Sequence, residues 1–131
     1  MIVLDTHALV WWVAGDSLLS KKAKAAIQRE QSGGTIIIST ISTWEIAMLV
    51  ERERLLLSMD VSSWLATVAE IKAVRFEPVD VDVATKSVVL PGKFHKDPAD
   101  RMIVATARKL AAPLVTMDDK IRAYAHVKTI W

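Results

Sequence analysis

The chain has 131 residues, of which 52% are hydrophobic and 24% charged, and it has no cysteine. That length suits one domain with a real core. The apolar fraction excludes disorder, and the missing cysteines exclude disulfides, thiolate metal sites and a cysteine nucleophile. The 17 Lys and Arg against 15 Asp and Glu leave a net charge of +2, which permits an anionic partner without demanding one. With only three histidines, any metal is expected on oxygen ligands. Apolar stretches such as residues 8–15 fall far short of the roughly 20 residues of a membrane span. Residues 1–5 carry no basic stretch ahead of an apolar run, so no leader is read and a cytoplasmic location is expected.

Residues 1–131 read as a single domain, without linker, repeat or low-complexity segment. Ile2-Val3-Leu4 is a short strand ending at Asp5. Residues 6–14 read as a helix broken by Gly15-Asp16-Ser17, and 20–31 as a lysine-rich helix stopped by Gly33-Gly34. Residues 35–39 are the clearest strand, continuous and β-branched. Helices follow over 41–53 and over 60–73, the latter with Val61, Trp64, Leu65, Val68 and Ile71 at helical spacing and Asp60 as N-cap. Residues 76–79 read as a short strand, 81–90 as a helix ended by Pro91-Gly92, and 94–97 as a loop. The chain closes with a helix over 98–111, a strand over 113–116, a helix over 118–125 and a strand over 127–130. Apolar strands alternating with helices predict an α/β fold, a parallel sheet of about five strands with helices on both faces. Ligands bind such sheets at the C-terminal strand ends, where strand order reverses.

Four acids fall near those ends. Asp5 closes the first strand, Asp100 stands in the first turn of the 98–111 helix, and Asp118 follows the strand at 113–116. Each fits a helix-start role, with Asp97 as N-cap, Pro98 at N1 and Asp100 at N3. Asp100 also shares a face with Ile103, Val104 and Ala107, so it points along an apolar stripe. Asp119 competes with Asp118 for the last position. Glu45 cannot be a cap. Its helical neighbours are Ile41, Met48 and Leu49, where a carboxylate needs a metal or an ion pair, Arg101 being one candidate partner. Four ionised carboxylates in one small volume require a cation, and an all-oxygen set selects Mg²⁺ or Mn²⁺. An acidic pocket holding such an ion suits phosphoryl chemistry.

The segments Ile2-Val3-Leu4-Asp5-Thr6, Ser42-Thr43-Trp44-Glu45-Ile46-Ala47, Asp97-Pro98-Ala99-Asp100-Arg101-Met102-Ile103-Val104-Ala105-Thr106-Ala107 and Leu114-Val115-Thr116-Met117-Asp118 occur in this order across nearly the whole chain. As a set the sequence resembles the PIN-domain nucleases, in particular the VapC toxins of bacterial toxin–antitoxin pairs. The resemblance implies a three-layer α/β fold, Mg²⁺- or Mn²⁺-dependent cleavage of single-stranded RNA by an activated water, a homodimer and a VapB-like antitoxin that blocks the site. Carried over residue by residue, it makes Asp5, Glu45, Asp100 and Asp118 the metal-binding catalytic acids. Thr6 and Thr116 become supporting hydroxyls.

Lys93, Lys96 and Arg101 flank the acids and are expected to meet RNA phosphates. His95 is a further substrate-contacting candidate, with a solvated loop side chain as the alternative. Two other classes stay open. One is a non-catalytic PIN-like module that binds RNA or a partner. The other is a Mg²⁺-binding receiver-like signalling domain, which would want paired acids after the first strand, where Asp5-Thr6 stands.

Overall fold

The computed structural model describes residues 1–131. Five strands form one parallel sheet: β1 (Ile2–Leu4), β2 (Ile36–Ser39), β3 (Val74–Glu77), β4 (Leu114–Val115) and β5 (Thr129–Ile130), in the spatial order β3-β2-β1-β4-β5. Val3 pairs with Ile37 on one side and with Leu114 on the other. The chain builds outward from β1 to β3, then returns across the sheet to place β4 on the free side of β1. Strand order therefore reverses between β1 and β4, which is where a crevice opens in such sheets. A receiver-like domain carries the order 2-1-3-4-5, so this topology sets that reading aside.

Seven helices surround the sheet: α1 (Thr6–Ala14), α2 (Lys21–Gln31), α3 (Thr40–Glu51), α4 (Val61–Ala69), α5 (Val81–Val88), α6 (Pro98–Lys109) and α7 (Asp119–Arg122). Side chains alternate across the strands, which makes the layers. Ile2, Leu4, Ile36 and Ile38 pack with α1, α2 and α4 on one face. Val3, Ile37 and Leu114 pack with α5, α6 and Ile121 of α7 on the other. Helix α3 bridges the two, with Ile46 in the first cluster and Ile41 against the second. It therefore lies near the C-terminal edge of the sheet and can present a side chain there. No helix is long and apolar enough to cross a membrane.

Element boundaries follow local chemistry. Asp5, Ser20, Ser39, Asp60, Asp80, Asp97 and Asp118 all cap helices through their side chains. Gly15 ends α1 at φ 65°, the left-handed conformation that glycine adopts without strain. Strand β3 begins at Val74, ahead of the expected 76–79, and α4 stops at Ala69 rather than 73. The cause is visible in the pairing: Ala73 turns at φ 75°, and the Ile36 N–H bonds its carbonyl. Val74 and Phe76 pack inward while Arg75 is exposed, the alternation of a half-buried edge strand. Helix α7 is a single turn, shorter than the expected 118–125.

The loop between α5 and α6 is fastened from two sides. The Tyr124 hydroxyl donates to the Pro91 carbonyl, and its ring packs on Phe94 at 4.7 Å. Arg101, expected to face phosphate, instead turns into this loop. Its Nε donates to the Ser87 carbonyl at 2.8 Å, Nη1 to those of Phe94 and His95 at 3.0 and 3.1 Å, and Nη2 to that of Val88 at 3.2 Å. Four of its five N–H donors are thus used on backbone, and it makes no ion pair with Glu45. In this structure Arg101 clamps the loop. Arg101→Ala should lower the unfolding free energy by about 3 kcal/mol, since partly buried carbonyls lose charged donors. Arg101→Lys should recover little of this, because an ammonium cannot span the fork. Amide exchange in residues 88–96 should accelerate in both variants; unchanged exchange there would refute the clamp.

Candidate active site

The acids reach one crevice through the ordinary business of starting helices. Asp5 ends β1, and its Oδ1 accepts the Ala8 N–H at 2.8 Å as the N-cap of α1. Asp118 does the same for α7, accepting the Ile121 N–H at 3.0 Å. Asp97 caps α6 through the Asp100 N–H at 3.1 Å, which places Asp100 in the first turn behind Pro98. Three helix N-termini therefore converge, each with its positive dipole end toward the acids. Glu45 comes from the second turn of α3. Asp5, Glu45, Asp97, Asp100 and Asp118, with Thr6, His7, Trp11 and Met117, line an open crevice of about 410 Å³. No lysine or arginine lines it.

Hydroxyls hold the carboxylates in place. The Thr6 hydroxyl donates to Glu45 Oε1 and lies 3.0 Å from the Ser42 hydroxyl. Thr116 is fully buried; it accepts the Asp118 N–H at 3.0 Å and hydrogen-bonds Asp5. Both hydroxyls lie beside the carboxylates. Ser42 is a member the sequence reading lacked. Its signal was its spacing, three residues before Glu45 on the same helical face.

Electrostatics follow from the crowding. Burial raises the Asp5 carboxyl above its usual range; hydrogen bonds from Thr116 and Ala8 oppose that only in part. Asp100 is pushed up to about 7, first by burial and then by the neighbouring charges of Asp97, Asp118, Glu45 and Asp5. Such a site fits a hard divalent cation: its acids offer carboxylate oxygens, no lysine or arginine neutralises them, and it penalises its own ionisation.

The remaining candidates separate clearly. Asp119 is fully exposed, 4.0 Å from Arg122, so Asp118 is the acid that lines the crevice. Lys93 and Lys96 are exposed on the fastened loop and make no ion pair, which leaves both free for phosphate. His95 is not a solvated loop side chain. It is 21% exposed, packs edge-on to Phe94 at 4.4 Å, and turns Nε2 to within 3.0 Å of Asp100 Oδ2.

Residues 2–127 match the PIN-domain family, and the chain belongs to it. Within that family it sides with the VapC proteins. It is 39% identical over 132 residues to Ribonuclease VapC22 of Mycobacterium tuberculosis, spanning 99% of this chain and 98% of that one. The fold recurs in VapBC2 from Rickettsia felis bound to a DNA fragment from their promoter, at 18% identity over 98% of this chain and 97% of that one, with TM-score 0.71. It recurs also in Mycobacterium tuberculosis VapC20, a sarcin-ricin loop cleaving toxin, at 20% identity over 98% of both chains, with TM-score 0.66.

The raised carboxyls set a pH dependence whose sign is determinate. Burial and neighbouring carboxylates push Asp100 up to about 7 in the folded protein, against an ordinary value of 3.8. The folded state therefore binds more protons between those values, and stability falls as pH rises through that window. In EDTA the thermal midpoint should be higher near pH 5.5 than near pH 8, and Asp100→Asn should raise the pH 8 value and flatten the profile. Saturating Mn²⁺ should stabilise the protein most at the alkaline end. Equal midpoints across that range in EDTA would contradict the crowding.

Proposed function

We propose that this chain is a divalent-metal-dependent endoribonuclease acting on single-stranded RNA, and the toxin of a toxin–antitoxin pair. One observation carries the proposal: Asp5, Glu45, Asp100 and Asp118 meet at the strand-order reversal with no lysine or arginine to neutralise them. The 39% identity to a ribonuclease supports the same reading.

Asp5, Glu45, Asp100 and Asp118 would hold Mg²⁺ or Mn²⁺. The bound ion supplies an activated water and offsets charge developing on the phosphate. Thr6 keeps Glu45 aimed at the crevice, and Thr116 ties Asp118 to Asp5. Lys93 and Lys96 draw the RNA backbone toward an acidic mouth that would otherwise repel it. No covalent enzyme intermediate is needed. The chain has no cysteine, and the Thr6 and Thr116 hydroxyls are already engaged with carboxylates. Attack by water forms no 2′,3′-cyclic phosphate, and with the 3′ oxygen as leaving group, as the family resemblance implies, the products would carry 5′-phosphate and 3′-hydroxyl ends. A VapB-like partner that enters the crevice would silence the enzyme, and two copies of the chain would form the active homodimer in the cytoplasm.

The test is cleavage of mixed RNA in Mn²⁺, Mg²⁺ or EDTA. Asp5→Asn and Glu45→Gln should each lower the rate by about 10²-fold or more, since each removes a contact to the charge-stabilising centre. EDTA should abolish cleavage. Products ending in 2′,3′-cyclic phosphate, or full activity in both variants, would overturn the mechanism. Mn²⁺ binding without cleavage of any RNA would favour a binding module on the same fold.

A further inference from the structure

One polar atom beside the crevice, against Asp100, has no part in the scheme above. His95 Nε2 is buried and makes no hydrogen bond, yet it lies 3.0 Å from Asp100 Oδ2. It and single oxygens of Asp100 and Asp118 lie within 4.8 Å of one another. A nitrogen and a carboxylate oxygen so close call for a cation between them, a proton or a metal ion. The direction required of a shared proton is not met. The separation suits a metal: ligands at about 2.1 Å on adjacent corners of an octahedron stand about 3.0 Å apart.

The ring is held there by protein alone. Phe94 packs against it edge-on at 4.4 Å, and Tyr124 backs Phe94 at 4.7 Å. Arg101 grips the His95 carbonyl at 3.1 Å. A loop fastened this firmly presents the imidazole in advance, as a ligand needs.

We infer that His95 is a ligand to the divalent cation, beside Asp100 and Asp118. This rests on the metal site proposed above and adds a ligand to it. Carboxylate and water suit Mg²⁺ and Mn²⁺ alike, whereas imidazole affinity grows along the first row beyond Mn²⁺. The centre is therefore a mixed nitrogen–oxygen site, and the Arg101 clamp acts as a positioning residue for that nitrogen.

The direct probe is electron spin-echo spectroscopy of the Mn²⁺-loaded full chain with ¹⁵N-labelled histidine. A nitrogen coupling should appear, vanish in His95→Gln, and persist in His7→Gln, which alters the other imidazole at the crevice. By calorimetry His95→Gln and His95→Ala should weaken Mn²⁺ binding by about tenfold, the scale on which supporting residues act at metal sites. No nitrogen coupling in the loaded wild type, or a coupling retained in His95→Gln, overturns the inference and leaves the carboxylate site standing. A wild type that binds neither Mn²⁺ nor Mg²⁺ and cuts no RNA overturns the proposed function and this inference together.

Discussion

Repulsion among carboxylates is the constraint on which the rest of this structure depends. Asp5, Glu45, Asp100 and Asp118 come from four separate segments to one crevice, with Asp97 at its edge. No lysine or arginine enters with them; the basic groups at hand are the imidazoles of His7, which lines the crevice, and His95 beside Asp100. Burial and neighbouring charge hold Asp100 at about 7. A fold that meets that penalty without internal neutralisation implies a compensating cation from outside, and oxygen donors select a hard one. In the proposed function the exposed lysines on the nearby loop would offset this charge for an approaching RNA backbone.

The acids are held there at little extra cost. In Asp5 and Asp118 one oxygen satisfies an orphan N–H at the start of a helix. Asp97 does this for α6 and so sets the first turn that carries Asp100. Capping and the convergence of the acids are therefore one arrangement seen from two sides. The helix N-termini also stabilise the ionised forms, which partly offsets burial. Glu45 and Asp100 cap nothing themselves; Glu45, in the interior of α3, is oriented by the Thr6 hydroxyl.

Much of this was legible from residues alone. The helix caps at Asp5, Asp60 and Asp97 follow from residue type and position, and so do the apolar strands. Glu45 stood out because an acid on an apolar helical face has few explanations. What stayed hidden has a common cause. The partners of Arg101 are backbone carbonyls, which carry no sequence signature, so a residue that looked aimed at phosphate is a structural clamp. The aim of His95 depends on Phe94 and on Tyr124, a residue 29 positions further along that only tertiary packing brings near. The early start of β3 depends on a turn at Ala73, a left-handed conformation that alanine does not advertise.

The central claim is that a divalent cation completes this crevice. Anomalous diffraction from crystals grown with Mn²⁺ tests it most directly. The account predicts a Mn²⁺ peak within bonding distance of Asp100 and Asp118 carboxylate oxygens, with Asp5 and Glu45 in its immediate surroundings. A crevice without a peak, in crystals where Mn²⁺ is bound elsewhere on the chain, would contradict it.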